Sequence, residues 1–502
     1  MVTCLKSVLL QNIFLYNFYN SEDHMESLWS KSVTFRKRAA LEGDIKVNTA
    51  VIGGGIAGLL TAYRLRERGI DTVVLEAKEV CSGQTENTTA KITSQHGIIY
   101  SKIETGYGRA AAKHYAALNQ KAISDYEKII SEKNIECHFE RKKAFLYTLH
   151  DRAQIEKEAD AARQAGINCG VVTNTELPFP VKAALVFDNQ AQFNPLEFLL
   201  PISESLRIYE NTPVIKTVGN VLYTDKGTVT ARNIVFASHY PFVNFPGFHF
   251  LRMSQERSYV VSTEWNGTLD GMYIDAGNGL SFRTYENQLL IGGGAHRTGE
   301  APENDPFEML VKKGRMLFPE FNETARWSAQ DCISLDGIPY IGDFSCASKN
   351  VFVATGFNKW GMTTSMVAAD IISDMVCGKE NHRYWIFSPS RFSPIAGAKN
   401  FCTNTGETVK GFAKHLKSTQ FSAESIRNGE ARLIKYNGKK AGAYRDENGE
   451  LFVVSLKCPH LKCELNWNEA TKTWDCPCHG SRYDYKGNLL DNPAQQESIL
   501  LN

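Results

Sequence analysis

The chain contains no run of 18 uninterrupted apolar residues, so no transmembrane helix is expected. It has almost no net charge: 56 Lys and Arg oppose 55 Asp and Glu, leaving +1 at neutral pH. That balance gives no reason to expect nucleic acid as the main partner. Internal repeats and low-complexity tracts are missing, which sets aside repeat architectures. Cysteine is modest in number for 502 residues, and its twelve copies are uneven. Cys458, Cys463, Cys476 and Cys478 fall in one short stretch, which argues for a local site rather than a disulfide-stapled secreted scaffold. The length exceeds what one core fills, so two or three domains are expected. The opening apolar segment "SVLLQNIFLYNFY" is broken by polar residues and lacks a small-residue cleavage site. Residues 1–24 are expected to be an extension outside the folded protein, with Met25 a candidate initiator.

What is present begins with "DIKVNTAVIGGGIAGLLTAYRLRERGIDTVVLEA". Val47, Ala50, Val51 and Ile52 make an apolar strand, and Gly53, Gly55 and Gly58 form G-x-G-x-x-G. The apolar face of Leu59, Leu60, Ala62, Tyr63 and Leu65 predicts a helix, and "TVVLEA" a second buried strand. Gly53 makes the sharp turn, Gly55 admits a pyrophosphate to the backbone, and Gly58 lets helix and strand pack closely. The helix N-terminus then faces the phosphates with N–H groups and a positive dipole. Glu76, 18 residues after Gly58, stands where an acid meets the ribose hydroxyls. The motif does not separate FAD from NAD. "GTVTARNIVFAS" (227–238) predicts a strand returning to the same sheet, and "NVFVATGFNKWGMTTSMVAADIISDMV" (350–376) a strand, glycine turn and helix.

Residues 45–380 resemble FAD-dependent oxidoreductases of the D-amino-acid-oxidase-like, glycine-oxidase-like class. The segments that carry the resemblance are "VIGGGIAGLLTAYRL", "DGIPYIG" and "ATGFNKWGMT". The resemblance implies that Gly53, Gly55, Ala57, Gly58 and Glu76 hold the ADP half of FAD, with Val214 at the adenine. It places Thr89 and the rest of "TTAKITSQHG" along the pyrophosphate and ring, and Gly356, Gly361 and Met362 at the isoalloxazine. Where many relatives end the returning strand in Ala-Ala-Gly, this chain has Ala237-Ser238-His239. Cys81 and His96 are expected in loop or supporting roles rather than as covalent flavin attachment points.

The C-terminal boxes "CPHLKC" and "CPCHGS" each supply one Cys and one His: Cys458 with His460, and Cys476 with His479. Two Cys and two His would also suit zinc. Zinc fingers, however, usually pair Cys with Cys and His with His along the chain. One of each per box is what a Rieske [2Fe–2S] cluster needs, with two thiolates on one iron and two imidazoles on the other. The boxes resemble those of Rieske proteins in respiratory cytochrome bc complexes. That resemblance implies a disulfide between Cys463 and Cys478. It also implies hydrogen bonds to sulfur from Ser481 and Tyr483, and hence a cluster on the high-potential side. "DNPA" (491–494) resembles the proline loop that covers such a cluster.

Prolines and serines mark 381–420 as a linker, in which "ETVKGFAKHLK" (407–417) suggests a short basic helix. From 421, "NG" and "ENG" turns between alternating segments predict antiparallel hairpins. The expected architecture is an α/β Rossmann-like FAD domain with an inserted α+β substrate domain (together 45–380), a linker, and a small all-β Rieske domain (421–502).

A flavin accepts two electrons and the cluster takes them singly. The expected function is an FAD-dependent oxidation of an amine or amino acid, with electrons passed through the cluster to an external protein or quinone. The amine class comes only from the family resemblance. No second G-x-G-x-x-G stands in the chain for a nicotinamide cofactor. An NAD(P)H-driven reductase and a redox sensor without a dedicated substrate are the alternatives. His296, Arg283 and Trp360 are the candidate catalytic residues, with Tyr285, Arg297 and Lys359 near them in the sequence argument. An Arg would clamp a carboxylate and His296 would bind substrate or take a proton. The expected location is the cytoplasm, with peripheral membrane contact allowed by the basic linker segment.

Overall fold

The computed structural model of the 502-residue chain describes residues 26–391 and 423–501, apart from 268, 303 and 499. The N-terminal extension, the basic segment 407–417 and most of the linker lie outside the described residues. β1 (Ile45–Ile52) leads through the glycine turn into α1 (Ile56–Glu67) and then β2 (Thr72–Leu75). α1 is buried from Ile56 to Tyr63 and again at Leu65, as a helix clad on all sides must be. β1 pairs in parallel with β2 on one side and with β3 (Thr228–Phe236) on the other. β3 pairs in parallel with β4 (Val351–Thr355), which runs through a glycine turn into α2 (Gly361–Val376). Strands buried on both faces by crossover helices explain the near-continuous apolar runs of the sequence. The second sheet has nine strands, mostly antiparallel, drawn from residues 91–92, 140–192 and 253–334. It forms the predicted inserted domain.

The C-terminal domain holds a three-stranded sheet (Ala431–Tyr436, Lys439–Arg445, Leu451–Ser455) and a four-stranded one (Asn466–Asn468, Thr473–Asp475, Arg482–Asp484, Leu489–Asp491). All pairings in both are antiparallel. The first hairpin turns at Asn437 and Gly438, both at positive φ (49° and 77°), the conformation an Asn-Gly hairpin turn requires. Trp474 and Tyr483 fill its core against the cysteine boxes.

Residues 381–391, assigned to the linker on sequence, pack on the flavin part. Ile386 and Phe387 are buried, and Arg391 forms a two-pronged ion pair with Asp336 at 2.8 Å on each prong. Among the described residues no helix is long and apolar enough to cross a membrane.

Candidate functional site: a dinucleotide cradle and a sulfur–imidazole cage

The glycine turn has no room for side chains at two of its positions. Gly53 sits at φ +110°, and a Cβ there would lie 2.5 Å from the Ala237 carbonyl oxygen. A Cβ on Gly58 would lie 1.9 Å from the Gly53 oxygen. Ala237 thus closes the turn although the residues after it depart from the usual Ala-Gly. Gly55 caps α1 without a side chain, so no cap side chain stands between the helix start and a phosphate. The Ile56 N–H donates to Thr85 Oγ1 at 3.0 Å, a support the sequence did not signal. Glu76 ends β2 and accepts from the Gly54 N–H at 2.6 Å. Burial pushes its carboxyl upward, while backbone N–H groups of Lys78 and Gly54 hold it down. Ala57, Val214 and Met362, the last at the start of α2, are all buried. This cradle fits the pyrophosphate and ribose of a dinucleotide.

His96 stacks on Trp360 with ring centroids 4.9 Å apart. Its nitrogens face Tyr115 Oη (2.6 Å) and the Thr93 carbonyl (2.7 Å). Burial brings its pKa down to about 3, so it is neutral. Cys81 is buried against the Gly54 carbonyl at 3.8 Å. Arg283 donates to the carbonyls of Thr89 (2.5 Å) and Ala90 (3.0 Å) and so holds the loop beside the cradle. Tyr285 bonds Asn194 at 3.2 Å, and Lys359 pairs with Glu256 at 2.8 Å. His296 accepts from the Tyr259 hydroxyl at 3.0 Å. Arg297 reaches across to the C-terminal domain, donating to the carbonyls of Pro477 (3.2 Å) and Cys478 (3.4 Å). The six candidates therefore do not converge on one point. Arg283 and Tyr285 brace the loop wall, His296 and Arg297 stand at the domain boundary, and Trp360 and Lys359 precede α2.

In the C-terminal domain Cys463 and Cys478 form a disulfide, both buried. Their sulfurs and the Cys476 sulfur lie within 4.8 Å of one another. Spent on each other, the disulfide pair leaves Cys458 and Cys476 as the buried thiols of the cage. Each thiol shifts the other, Cys458 downward and Cys476 upward. Tyr483 Oη lies 3.9 Å from Cys458 Sγ. Burial lowers His460 to about 4 and His479 to about 3, so both imidazoles are neutral, the form a metal needs. The Nδ1 atoms of both are buried with no hydrogen-bond partner among the described residues. Two free thiols and two orphaned imidazole nitrogens fit an iron–sulfur cluster held by two Cys and two His. Ser481 Oγ accepts from the Ala494 N–H at 3.0 Å, which fastens the proline loop over the cage.

The disulfide ties the two cage loops across a separation of 15 residues, a closure worth about 3 kcal/mol in chain entropy. The double variant C463S/C478S is expected to lose the cluster's absorbance at lower urea than wild type, while the flavin transition stays in place. A urea titration read at both chromophores checks this.

The two sites meet. Gln255 Nε2 donates to the His479 carbonyl (2.7 Å) and to the Asn492 carbonyl (3.1 Å). Gln330 Nε2 donates to the Gly480 carbonyl at 2.9 Å. Asn492 Nδ2 donates to the carbonyls of Ser238 (2.9 Å) and Tyr240 (2.8 Å), just past the end of β3. Glycines allow the closest approaches: a Cβ on Gly299 would lie 2.4 Å from Pro477 N, and one on Gly480 would lie 2.6 Å from Gln255 Cβ. Gln255 and Gln330 carry no sequence signal, because their partners lie far away along the chain, whereas Gly480 and Asn492 belong to the "CPCHGS" and "DNPA" segments.

A phosphate cradle in one domain and a Cys–His cage in the next, docked on each other, define a two-cofactor redox protein. Residues 48–375 match the FAD dependent oxidoreductase family, and residues 419–500 match the Rieske [2Fe-2S] domain. The chain is 35% identical to the Rieske 2Fe-2S iron-sulfur protein YhfW of Bacillus subtilis (strain 168), over 95% of this chain and 98% of that one. It is 21% identical to gamma-glutamylputrescine oxidoreductase of Escherichia coli (strain K12), over 75% of this chain and 94% of that one. Its fold is similar to that of glycine oxidase from Geobacillus kaustophilus (TM-score 0.58, 19% identity, 69% of this chain and 99% of that one). The chain belongs to the FAD dependent oxidoreductase family and carries a C-terminal Rieske domain. It is an FAD-dependent oxidoreductase, with FAD and a [2Fe–2S] cluster as its cofactors.

Proposed function

We propose that the chain oxidises a C–H bond next to nitrogen in an amine or amino acid and delivers the electrons one at a time to an external protein or quinone. Bound FAD supplies hydride acceptance, and the Rieske cluster supplies one-electron exchange at a raised potential. The chain's own residues supply the cradle, the cage and their proximity. Gly53, Gly55, Ala57, Gly58 and Glu76 hold the ADP half, with Val214 toward the adenine. Thr89, Gly356, Gly361 and Met362 flank the ring. The N-terminus of α2 favours negative charge there. Cys458, Cys476, His460 and His479 would hold the cluster, two thiolates with two imidazoles. The observation that carries the reading is the docking of the cage against residues 238–250, which continue the strand β3 that closes the glycine turn. The amine class rests on the family and on the relatives, whose named substrates include gamma-glutamylputrescine and glycine. His296, Arg283 and Trp360 remain the candidates for substrate contact. By their partners, Arg283 shapes the wall and Trp360 borders the entry to α2.

The test is to mix oxidised protein anaerobically with a panel of amines and amino acids, freeze it, and record electron paramagnetic resonance, with dithionite as control. A Rieske signal raised by an amine is expected. A signal raised by NADH and by no amine would overturn the reading in favour of a reductase. One raised by dithionite alone would favour a sensor.

A further inference from the structure

His460 has two ring nitrogens with different fates. Nδ1 is buried and unpartnered. Nε2 lies 2.9 Å from Asn244 Oδ1, and Asn244 belongs to the flavin domain, 216 residues earlier. If Nδ1 binds iron, the ring proton must sit on Nε2, and the side-chain oxygen of Asn244 is its acceptor. Asn244 stands on a well-anchored segment. The carbonyl of His239 accepts from Thr355 Oγ1 at 2.6 Å. The carbonyls of Ser238 and Tyr240 accept from Asn492. Farther along, the Phe250 ring meets the His479 ring edge-on at 5.8 Å, and the two imidazoles are perpendicular at 4.9 Å. One strand-end segment of the flavin domain thus touches both cage histidines.

We propose that Asn244 is a positioning residue for the cluster: the flavin domain completes the outer shell of the Rieske site by fixing the orientation and electron donation of His460. The proposal rests on the ligand assignment above. An acceptor on Nε2–H makes the imidazole a more basic ligand and favours the oxidised cluster. Removing it therefore raises the midpoint potential, and strengthening it lowers the potential. Loss of such an outer partner typically weakens a metal site 10- to 100-fold.

The experiment uses the full-length holoprotein in five forms: wild type, N244A, N244D, H460A and Q495A. Gln495 makes a domain-crossing bond to the Val214 carbonyl (2.9 Å), and its side chain makes no hydrogen bond to His460 or His479 among the described residues. Cluster midpoint potential and g values are read by electron paramagnetic resonance during redox titration, and cluster release is timed in excess chelator. N244A should shift the g values, raise the potential and release the cluster about 10-fold faster. N244D keeps an oxygen acceptor and adds charge, so its potential should fall below wild type and its release should stay slow. Q495A should match wild type in all three. An N244A protein with wild-type g values and potential would overturn the proposal. So would N244A and N244D shifting in the same direction, or Q495A shifting as far as N244A. A Rieske signal surviving in H460A would instead overturn the ligand assignment.

Discussion

Replacing His460 with alanine should abolish the Rieske electron paramagnetic resonance signal and leave FAD at full occupancy. The imidazole is neutral and half-buried, and its buried Nδ1 has no other partner among the described residues, so the variant removes a ligand that is open to iron. An iron short of one protein ligand is exposed to hydrolysis and to chelators, and the expected effect is complete loss rather than weakening. The flavin cradle is built from Gly53 to Glu76 and Ala237, none of which touches His460. Iron and acid-labile sulfide assays with flavin absorbance check this in one preparation. Loss of both cofactors together would show that the two sites do not stand separately.

The converse is expected from Gly58→Ala. The added methyl would lie 1.9 Å from the Gly53 oxygen, far inside van der Waals contact, and the obstacle is backbone rather than a movable side chain. The turn must open or the helix must move away from β1. Overpacking of this kind costs about 1–3 kcal/mol or more. It also displaces the N–H groups that face the pyrophosphate. FAD affinity should fall by roughly 5- to 150-fold where that cost falls on binding, while the cluster signal persists under dithionite. A G58A protein with wild-type flavin content would overturn the assignment of this turn to the phosphates.

Much of this was legible in the sequence because both cofactor sites are locally encoded. The cradle needs a strand, three glycines, a helix and an acid within about 30 residues, and each leaves a periodic or compositional mark. The cage needs two short boxes, and the box order separates the cluster from zinc. The Cys463–Cys478 disulfide came from resemblance and stands in the structure. The boundary between the domains was not legible. Asn244, Gln255 and Gln330 are neutral amides in loop or strand, and their partners lie 216, 224 and 150 residues away. Strand-borne arginines were legible as cations but not in their tasks. Arg283 spends its charge on loop carbonyls, and Arg297 on carbonyls of the Rieske domain. Which carbonyl a guanidinium meets depends on how two sheets stack, and no local pattern encodes that.

At positions 299 and 480 the two domains meet where even a methyl group would collide. Any swing of the iron-bearing domain as a courier between stations must first break these contacts. On the proposed electron route, the acceptor would arrive, collect a single electron and depart twice for every substrate molecule oxidised. Throughput in such a system is governed by the abundance and mobility of the carrier.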